Sequence, residues 1–219
     1  MINTMIFSAT AGKDTETLLW KTSENSSVIF KQNNKDSLQK VYNKAIDFAI
    51  QENIQNLVLV HDDVILENFT EDKLNELFKK YDVVGCAGSK IVNLKPPALW
   101  HLMGGGFGSS NLHGAVAHLD NKGKKRMTPF GSYPNRVVII DGVFMAIKRK
   151  VFQKIKFDES CPSKWHFYDL DYSMQCHKEG FKVGVGDIIV THNSPGLESF
   201  SEEFNKGQEW FLNKFFFFF

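Results

Sequence analysis

The sequence predicts an α/β fold in which a parallel sheet is covered by helices on both faces. Two observations lead there. In the first half, short apolar runs alternate with longer stretches whose apolar residues recur every three to four positions, the period of a helix with one buried face. Several of the apolar runs also stop at polar residues, and in such sheets ligands bind at the carboxyl ends of the strands. The composition allows this class: 219 residues can bury a sizeable core, and 42% hydrophobic with 23% charged residues is the range of a globular protein.

The elements follow in chain order. Residues 2–10 and 28–31 read as short strands, and Asp14 to Trp20 between them forms a helical turn. A helix over 36–49 has Asp36 as its predicted N-cap, with Gln39 three residues on as a capping-box variant. Its buried stripe is Leu38, Val41, Tyr42, Ala45, Ile46 and Ala49. Strand 57–60, LVLV, delivers His61, Asp62 and Asp63. Thr70 caps a second helix with the stripe Leu74, Leu77, Phe78 and Tyr81, and Val83 to Ala87 reads as another buried strand.

From about Asn93 to Arg136 the periodicity fails, through the glycine-rich WHLMGGGFGSSNLHG and the basic NKGKKRM. A loop of that length inside a compact domain is usually functional. Order returns with strand 137–140, which ends at Asp141-Gly142, followed by apolar residues 143–146 and a helix near 148–154. WHFYDLDYSMQCHKEG is a loop entering a helix that Gly180 terminates. Residues 181–185 alternate as a strand, Ile188 to Val190 lead to Thr191-His192, and a last helix starts near Ser201. No repeat or linker divides the chain.

Several functions are excluded or disfavoured by the same residues. Lys and Arg total 26 against 25 for Asp and Glu, so no global field favours nucleic acid. Three scattered cysteines make neither a disulfide framework nor a structural zinc site, and are expected reduced in the cytoplasm. MINTMIFSATAGKDTE has no signal-peptide pattern, and no segment reaches the roughly 18 apolar residues of a membrane span. Gly12-Lys13 and Gly88-Ser89-Lys90 lack P-loop spacing, and Gly104 to Gly108 does not open a helix as a dinucleotide fingerprint does. His61-Asp62 lacks the helices of the phosphohydrolases that use an HD pair. The run Lys122, Lys124, Lys125, Arg126 reads as a solvated loop, His113 and His118 are isolated, and Cys161 has no triad context. The five phenylalanines from Phe215 to Phe219 could dock on the domain, touch a membrane surface peripherally, or mark a truncated reading frame.

Two constellations carry chemistry. Adjacent carboxylates at the tip of a buried strand are costly unless a cation or hydrogen bonds neutralise them. The HDD triplet therefore suits a divalent cation with substrate phosphates completing its shell, against the plainer alternative of loop-bonding aspartates. His192, at another strand end, adds a nitrogen ligand and tilts the choice from Mg²⁺ toward Mn²⁺. In Tyr168-Asp169-Leu170-Asp171, at a helix start, one carboxylate is either a general base for an attacking hydroxyl or a simple N-cap.

Taken in order, these motifs resemble a family 2-type glycosyltransferase of the GT-A fold, over roughly residues 3–196. SATA, with Ala9 and Thr10, and KQNN, with Asn33, resemble positions that hold the nucleotide base and ribose. VYNKAIDFA resembles the helix carrying the family's Asn, here Asn43. LVLVHDDVIL resembles the DxD segment, IIDGVFMAIKRKVF (Asp141, Gly142) the segment lining donor sugar and acceptor, HFYDLDYSMQCHKEGFKVGV the "ED" helix, and VTHNSPG the metal-binding histidine. Two departures stand out. His61 occupies the place of the first DxD aspartate, shifting metal contact to Asp63, and Tyr168 replaces the glutamate of the ED pair.

The resemblance implies a mixed, mostly parallel central sheet flanked by helices, and one domain over 1–219. That domain would comprise a nucleotide-binding half to about 92, an acceptor-side and catalytic half over 93–198, and a C-terminal helix from 199. It implies metal-dependent, inverting transfer of a sugar from a nucleotide-diphosphate donor to a glycan, lipid-linked or protein acceptor, in surface polysaccharide or glycan synthesis. Asp63 and His192 would hold the cation. Ala9, Thr10, Asn33, Asn43, His61, Asp62, Asp141 and Gly142 would contact the donor. Asp169 would be the base, and Asp171 a second catalytic carboxylate. A catalytically silent sugar-nucleotide or glycan-binding module on the same fold is the competing reading, and a metal-dependent phosphohydrolase a third.

Overall fold

The computed structural model describes residues 3–22, 28–93, 96–106, 108–119, 123–194 and 200–215. The chain runs β1 (Thr4–Ala9), α1 (Leu18–Thr22), β2 (Val28–Lys31), α2 (Leu38–Gln51), β3 (Asn56–Val60), β4 (Val64–Leu66), α3 (Glu71–Phe78), β5 (Val83–Gly85), β6 (Ala87–Ser89) and α4 (Trp100–Met103). It continues β7 (Leu112–Leu119), β8 (Lys125–Gly131), β9 (Asn135–Arg136), β10 (Ile139–Ile140), β11 (Phe144–Lys148), α5 (Arg149–Phe152), α6 (Tyr168–Lys178), β12 (Val183–Val185), β13 (Val190–His192) and α7 (Glu202–Phe215).

Seven strands form the main sheet in the order β2-β1-β3-β11-β5-β12-β9. β1 is parallel to β2 and β3, and β12 to β5, while β11 is antiparallel to both its neighbours, so the sheet is mixed. All five residues of β3 are buried, because helices cover both faces and leave no polar side to alternate with. On one face, the α2 residues Val41, Tyr42, Ala45 and Ile46 pack with Met5, Phe7, Leu57 and Leu59. On the other, Val58 and Val60 lie in one cluster with Leu74 and Phe78 of α3 and with Phe204, Phe211 and Phe215 of α7.

A second sheet orders β10-β6-β7-β13-β4, with β8 paired to β7. It accounts for two differences from the sequence reading. Residues 83–87 are not one strand: the chain leaves the main sheet after Gly85 and enters the second at Ala87, with the fully buried Cys86 between. The stretch 93–136 is not a structureless loop but carries α4 and the β7–β8 hairpin. β7 escapes a periodicity search because its first six residues, LHGAVA, are all buried, and β8 because its residues are mostly exposed, include Pro129, and shift register near Gly114.

The start of α2 also differs. Ser37, not Asp36, is the N-cap, its hydroxyl accepting from the Lys40 N–H at 3.3 Å. Asp36 lies one residue outside and pairs with Lys40 and Lys44 at 3.1 and 2.9 Å. Gln39 is buried and donates to the Ser163 carbonyl at 2.8 Å, so it does not close a capping box. Thr70 does cap α3, accepting from Lys73 N–H. Gly180, at φ +78°, stops α6 in the left-handed conformation that glycine adopts freely. Phe215 is buried against Phe211, and residues 216–219 of the phenylalanine run lie outside the described residues. Among the described residues no helix is long and apolar enough to cross a membrane.

Candidate active site

Strand register assembles a cluster of three potential ligands. His61 follows β3 and Asp63 precedes β4. β13 runs antiparallel to β4 with His192 opposite Val64, and the Asn193 N–H donates to the Asp63 carbonyl at 2.9 Å. His192 is thereby set beside Asp63. One ligand atom from each of His61, Asp63 and His192 lies within 4.8 Å of the other two.

The electrostatics of the cluster suit a cation. Asp63 Oδ1 lies 3.2 Å from His192 Nε2, an ion-pair distance without hydrogen-bond alignment, and that buried oxygen has no hydrogen-bond partner among the described residues. Burial pushes the Asp63 carboxyl up, but His192 and then His61 outweigh it and hold it below the ordinary carboxylate range. Burial works against a charged His192, yet Asp63, and farther off Asp141, raise that imidazole above its usual value. His61 moves the other way, lowered first by burial and then by His192. An orphaned carboxylate oxygen facing two imidazoles is a donor set that a divalent cation fits.

Beside this cluster, the first turn of α6 grips the turn between β10 and β11. Phe167, at φ +66°, is the helix N-cap residue, so Asp169 is not the cap that one reading of the sequence made it. Its carboxylate accepts from the Leu170 N–H and from the Gly142 N–H, both at 2.9 Å. Asp169 keeps part of its surface accessible. It is nonetheless enclosed enough that burial, reinforced by the Asp141 charge, lifts its carboxyl from 3.8 to about 7. Tyr168 lies beneath the same turn with its hydroxyl 2.7 Å from His61 Nε2. Gly142 is required there, because a Cβ at that position would stand 2.1 Å from the phenolic oxygen.

Two cavities meet at the cluster. One, of about 490 Å³, is lined by Ala9, Tyr42, His61, Asp62, Asp63 and Trp165 among others. The second, of about 520 Å³, reaches under the β7–β8 hairpin to Val116, His118, Thr128 and Phe130. His101, Asp141 and His192 line both. Cavities of this size take small organic ligands.

The structure thus puts Ala9, His61, Asp62, Asp63, Asp141 and His192 on the cavity walls, with Gly142 next to Asp141 in the chain and Asp169 bonded to the Gly142 N–H. Four expected site residues are placed otherwise. Asn43 turns toward the loop after α5: its amide donates to the Phe157 carbonyl at 2.9 Å and to Glu159 at 2.8 Å, and its oxygen accepts from the Phe157 N–H at 2.9 Å. Asp171 is buried on the far flank of α6, 2.6 Å from Lys214 of α7 and 2.7 Å from Gln175. Burial raises its carboxyl to about 6 although Lys214 pulls it down. Thr10 is buried, with its hydroxyl accepting from the Gly12 N–H and its carbonyl accepting from the Asn34 N–H. Asn33 is an exposed left-handed residue at φ +50° whose N–H bonds the Gly12 carbonyl.

Sequence reasoning missed His118 and His101. His118 lies opposite His192 in the β7–β13 pairing, with their rings 6.0 Å apart. Its signal was the strand-end position, invisible while β7 went unrecognised.

Comparison with known proteins agrees with this architecture. A model described as a glycosyltransferase-like family matches residues 15–215. A197 from STIV superposes with a TM-score of 0.55 at 13% identity, covering 88% of this chain and 86% of that one. GalNAc-T7, solved with UDP, GalNAc and Mn²⁺, superposes with a TM-score of 0.58 at 13% identity over 97% of this chain. The chain spans about half of that protein, 48% of its length. At such identities the likeness is one of fold, and the fold is GT-A. No curated protein sequence matches the chain.

Proposed function

The chain belongs to the glycosyltransferase-like family, and on that premise we propose that it moves a sugar from a nucleotide-diphosphate donor to an acceptor hydroxyl with inversion at the anomeric carbon. One observation carries the reading: three ligand atoms from His61, Asp63 and His192 lie within 4.8 Å of one another where two cavities meet, with Asp141 and Asp169 alongside. The cavity at Ala9 and Asp62 is the donor side, and the one under the hairpin is the acceptor side. A divalent cation held by His61, Asp63 and His192 would neutralise charge on the departing diphosphate. GalNAc-T7, on the same fold with UDP and Mn²⁺, supports that assignment.

The chain's own residues do the rest. The Asp169 carboxylate, oriented by two backbone N–H groups, takes the proton of the acceptor hydroxyl. The acceptor oxygen bonds to the anomeric carbon from the face opposite the diphosphate, and the breaking carbon–oxygen bond leaves its electron pair on the diphosphate. A base titrating near 7 is matched to neutral conditions, holding its proton weakly enough to shed it and strongly enough to take one. The acceptor is a glycan, lipid-linked or protein hydroxyl of surface polysaccharide or glycan synthesis.

The test is incubation with Mn²⁺, a panel of nucleotide sugars and candidate acceptors. Release of nucleoside diphosphate matched by glycosylated acceptor is expected, and Asp63→Ala and His192→Ala should each weaken Mn²⁺-dependent nucleoside-diphosphate binding. Donor binding without release across the panel would make the chain a binding module. Unchanged Mn²⁺-dependent affinity in both variants would remove the metal site.

A further inference from the structure

We propose that Tyr168 is a positioning residue: its hydroxyl fixes the ring and tautomer of His61, so that Nδ1 is the atom His61 turns to the cation. The inference rests on the metal reading of His61, Asp63 and His192 and adds a residue that reading does not require.

The two ring nitrogens of His61 have different neighbours. Nε2 is 2.7 Å from the Tyr168 hydroxyl, while Nδ1 faces Asp63, 3.9 Å from its Oδ1. A neutral imidazole carries one hydrogen. If that hydrogen is on Nε2, it is donated to the phenolic oxygen and Nδ1 presents a lone pair to the cluster. If it is on Nδ1, it points at Asp63 and the ring offers the cluster no ligand atom. Imidazoles that bind metals generally donate their other N–H to a fixed acceptor, which sets both tautomer and ring angle.

The acceptor here is fixed. Tyr168 is 3% exposed, its ring sits edge-on to Tyr42 at 5.6 Å and near Phe157 at 6.3 Å. Overhead, Gly142 leaves no room for a side chain, since a Cβ would stand 2.1 Å from the hydroxyl. The next residue, Asp169, holds the Gly142 N–H at 2.9 Å, so the turn that roofs the hydroxyl is itself tied to the same helix end. The phenol can neither swing away nor be replaced by water without moving α6. Two departures from the usual motif, His61 for an aspartate and Tyr168 for a glutamate, therefore form one contact across 107 residues.

Electron paramagnetic resonance of Mn²⁺ alone, titrated into the full chain, tests this in four proteins: wild type, Tyr168→Phe, His61→Ala and the double variant. Phenylalanine keeps the ring packing and removes only the hydroxyl. Tyr168→Phe should weaken Mn²⁺ binding about 10-fold or more, and should have no further effect once His61 is alanine. Long-range ¹⁵N–¹H spectra of the metal-free wild type should show His61 protonated on Nε2, and Tyr168→Phe should show mixed tautomers. Wild-type Mn²⁺ affinity in Tyr168→Phe, the same loss with and without His61, or an Nδ1-protonated His61 in the wild type would each overturn the proposal. The last measurement decides the matter even if Tyr168→Phe does not fold. If Asp63→Ala and His192→Ala leave Mn²⁺ binding intact, the metal reading has failed. If they weaken it and Tyr168→Phe does not, only the role of Tyr168 has.

Discussion

The two flanks of α6 carry similar residues to opposite ends. At its start, Asp169 accepts two N–H groups and lies near the Asp141 charge, with no ion-pair partner among the described residues. On the flank toward α7, Asp171 is buried against Lys214, which also holds Asp158 at 2.6 Å. Both carboxyls are raised, and burial is the first cause in each. They differ in what answers the charge. A carboxylate with its own fixed cation is committed to packing. One held by backbone N–H groups beside another carboxylate remains free to exchange a proton. A perturbed acid is thus assigned by its partner more than by the size of its shift.

Substitutions on the two flanks should separate these roles. Asp169→Asn has the largest expected effect, a loss of about 10²–10⁴-fold in transfer with nucleotide and metal still bound. The wild-type rate should also climb with pH through about 7, because the carboxylate form predominates only above that value, and the asparagine variant should lack that limb. Near-normal turnover in Asp169→Asn would pass the role to Asp141, which lines both cavities. Lys214→Ala strands the buried Asp171 and should cost about 2–4 kcal/mol in urea denaturation while the turnover number stays near normal. A drop in turnover without a drop in stability would show that the α7 flank reaches the chemistry after all. Asn43→Ala removes three hydrogen bonds between α2 and the loop at Phe157. It should cost about 1–3 kcal/mol and leave donor affinity unchanged. Weakened donor affinity with an unchanged melting temperature would restore the family expectation for that residue.

What the sequence could disclose follows the same division. The stripes of α2 and α3 and the apolar run of β3 were readable because burial of one face, or of both, writes a period into the residues. The meeting of Asp63 with His192 was expected from strand ends in one parallel sheet, but the structure makes it through an antiparallel pair of the second sheet, with the end of β13 lying beside the start of β4. A period names the buried face of a helix but not the segment that covers it. The partners of Asn43 are 114 residues away, and Lys214 is one cation among 26. Nothing local says that either will be met. The second sheet was hidden for a different reason: β7 is buried on both sides of its first six residues and has no alternation to detect, and β8 is mostly exposed.

Between Gly85 and Ala87 the chain passes from one sheet to the other with only Cys86 in between. A single residue offers no slack. One residue more or less at that point would turn the side chains of β5 or β6 to the wrong face, and both strands are buried throughout. The length of chain between β7 and β8 carries no such constraint, because it enters no register of the larger sheet. A change of chain length is therefore tolerated better between β7 and β8, two strands that line one cavity, than between β5 and β6.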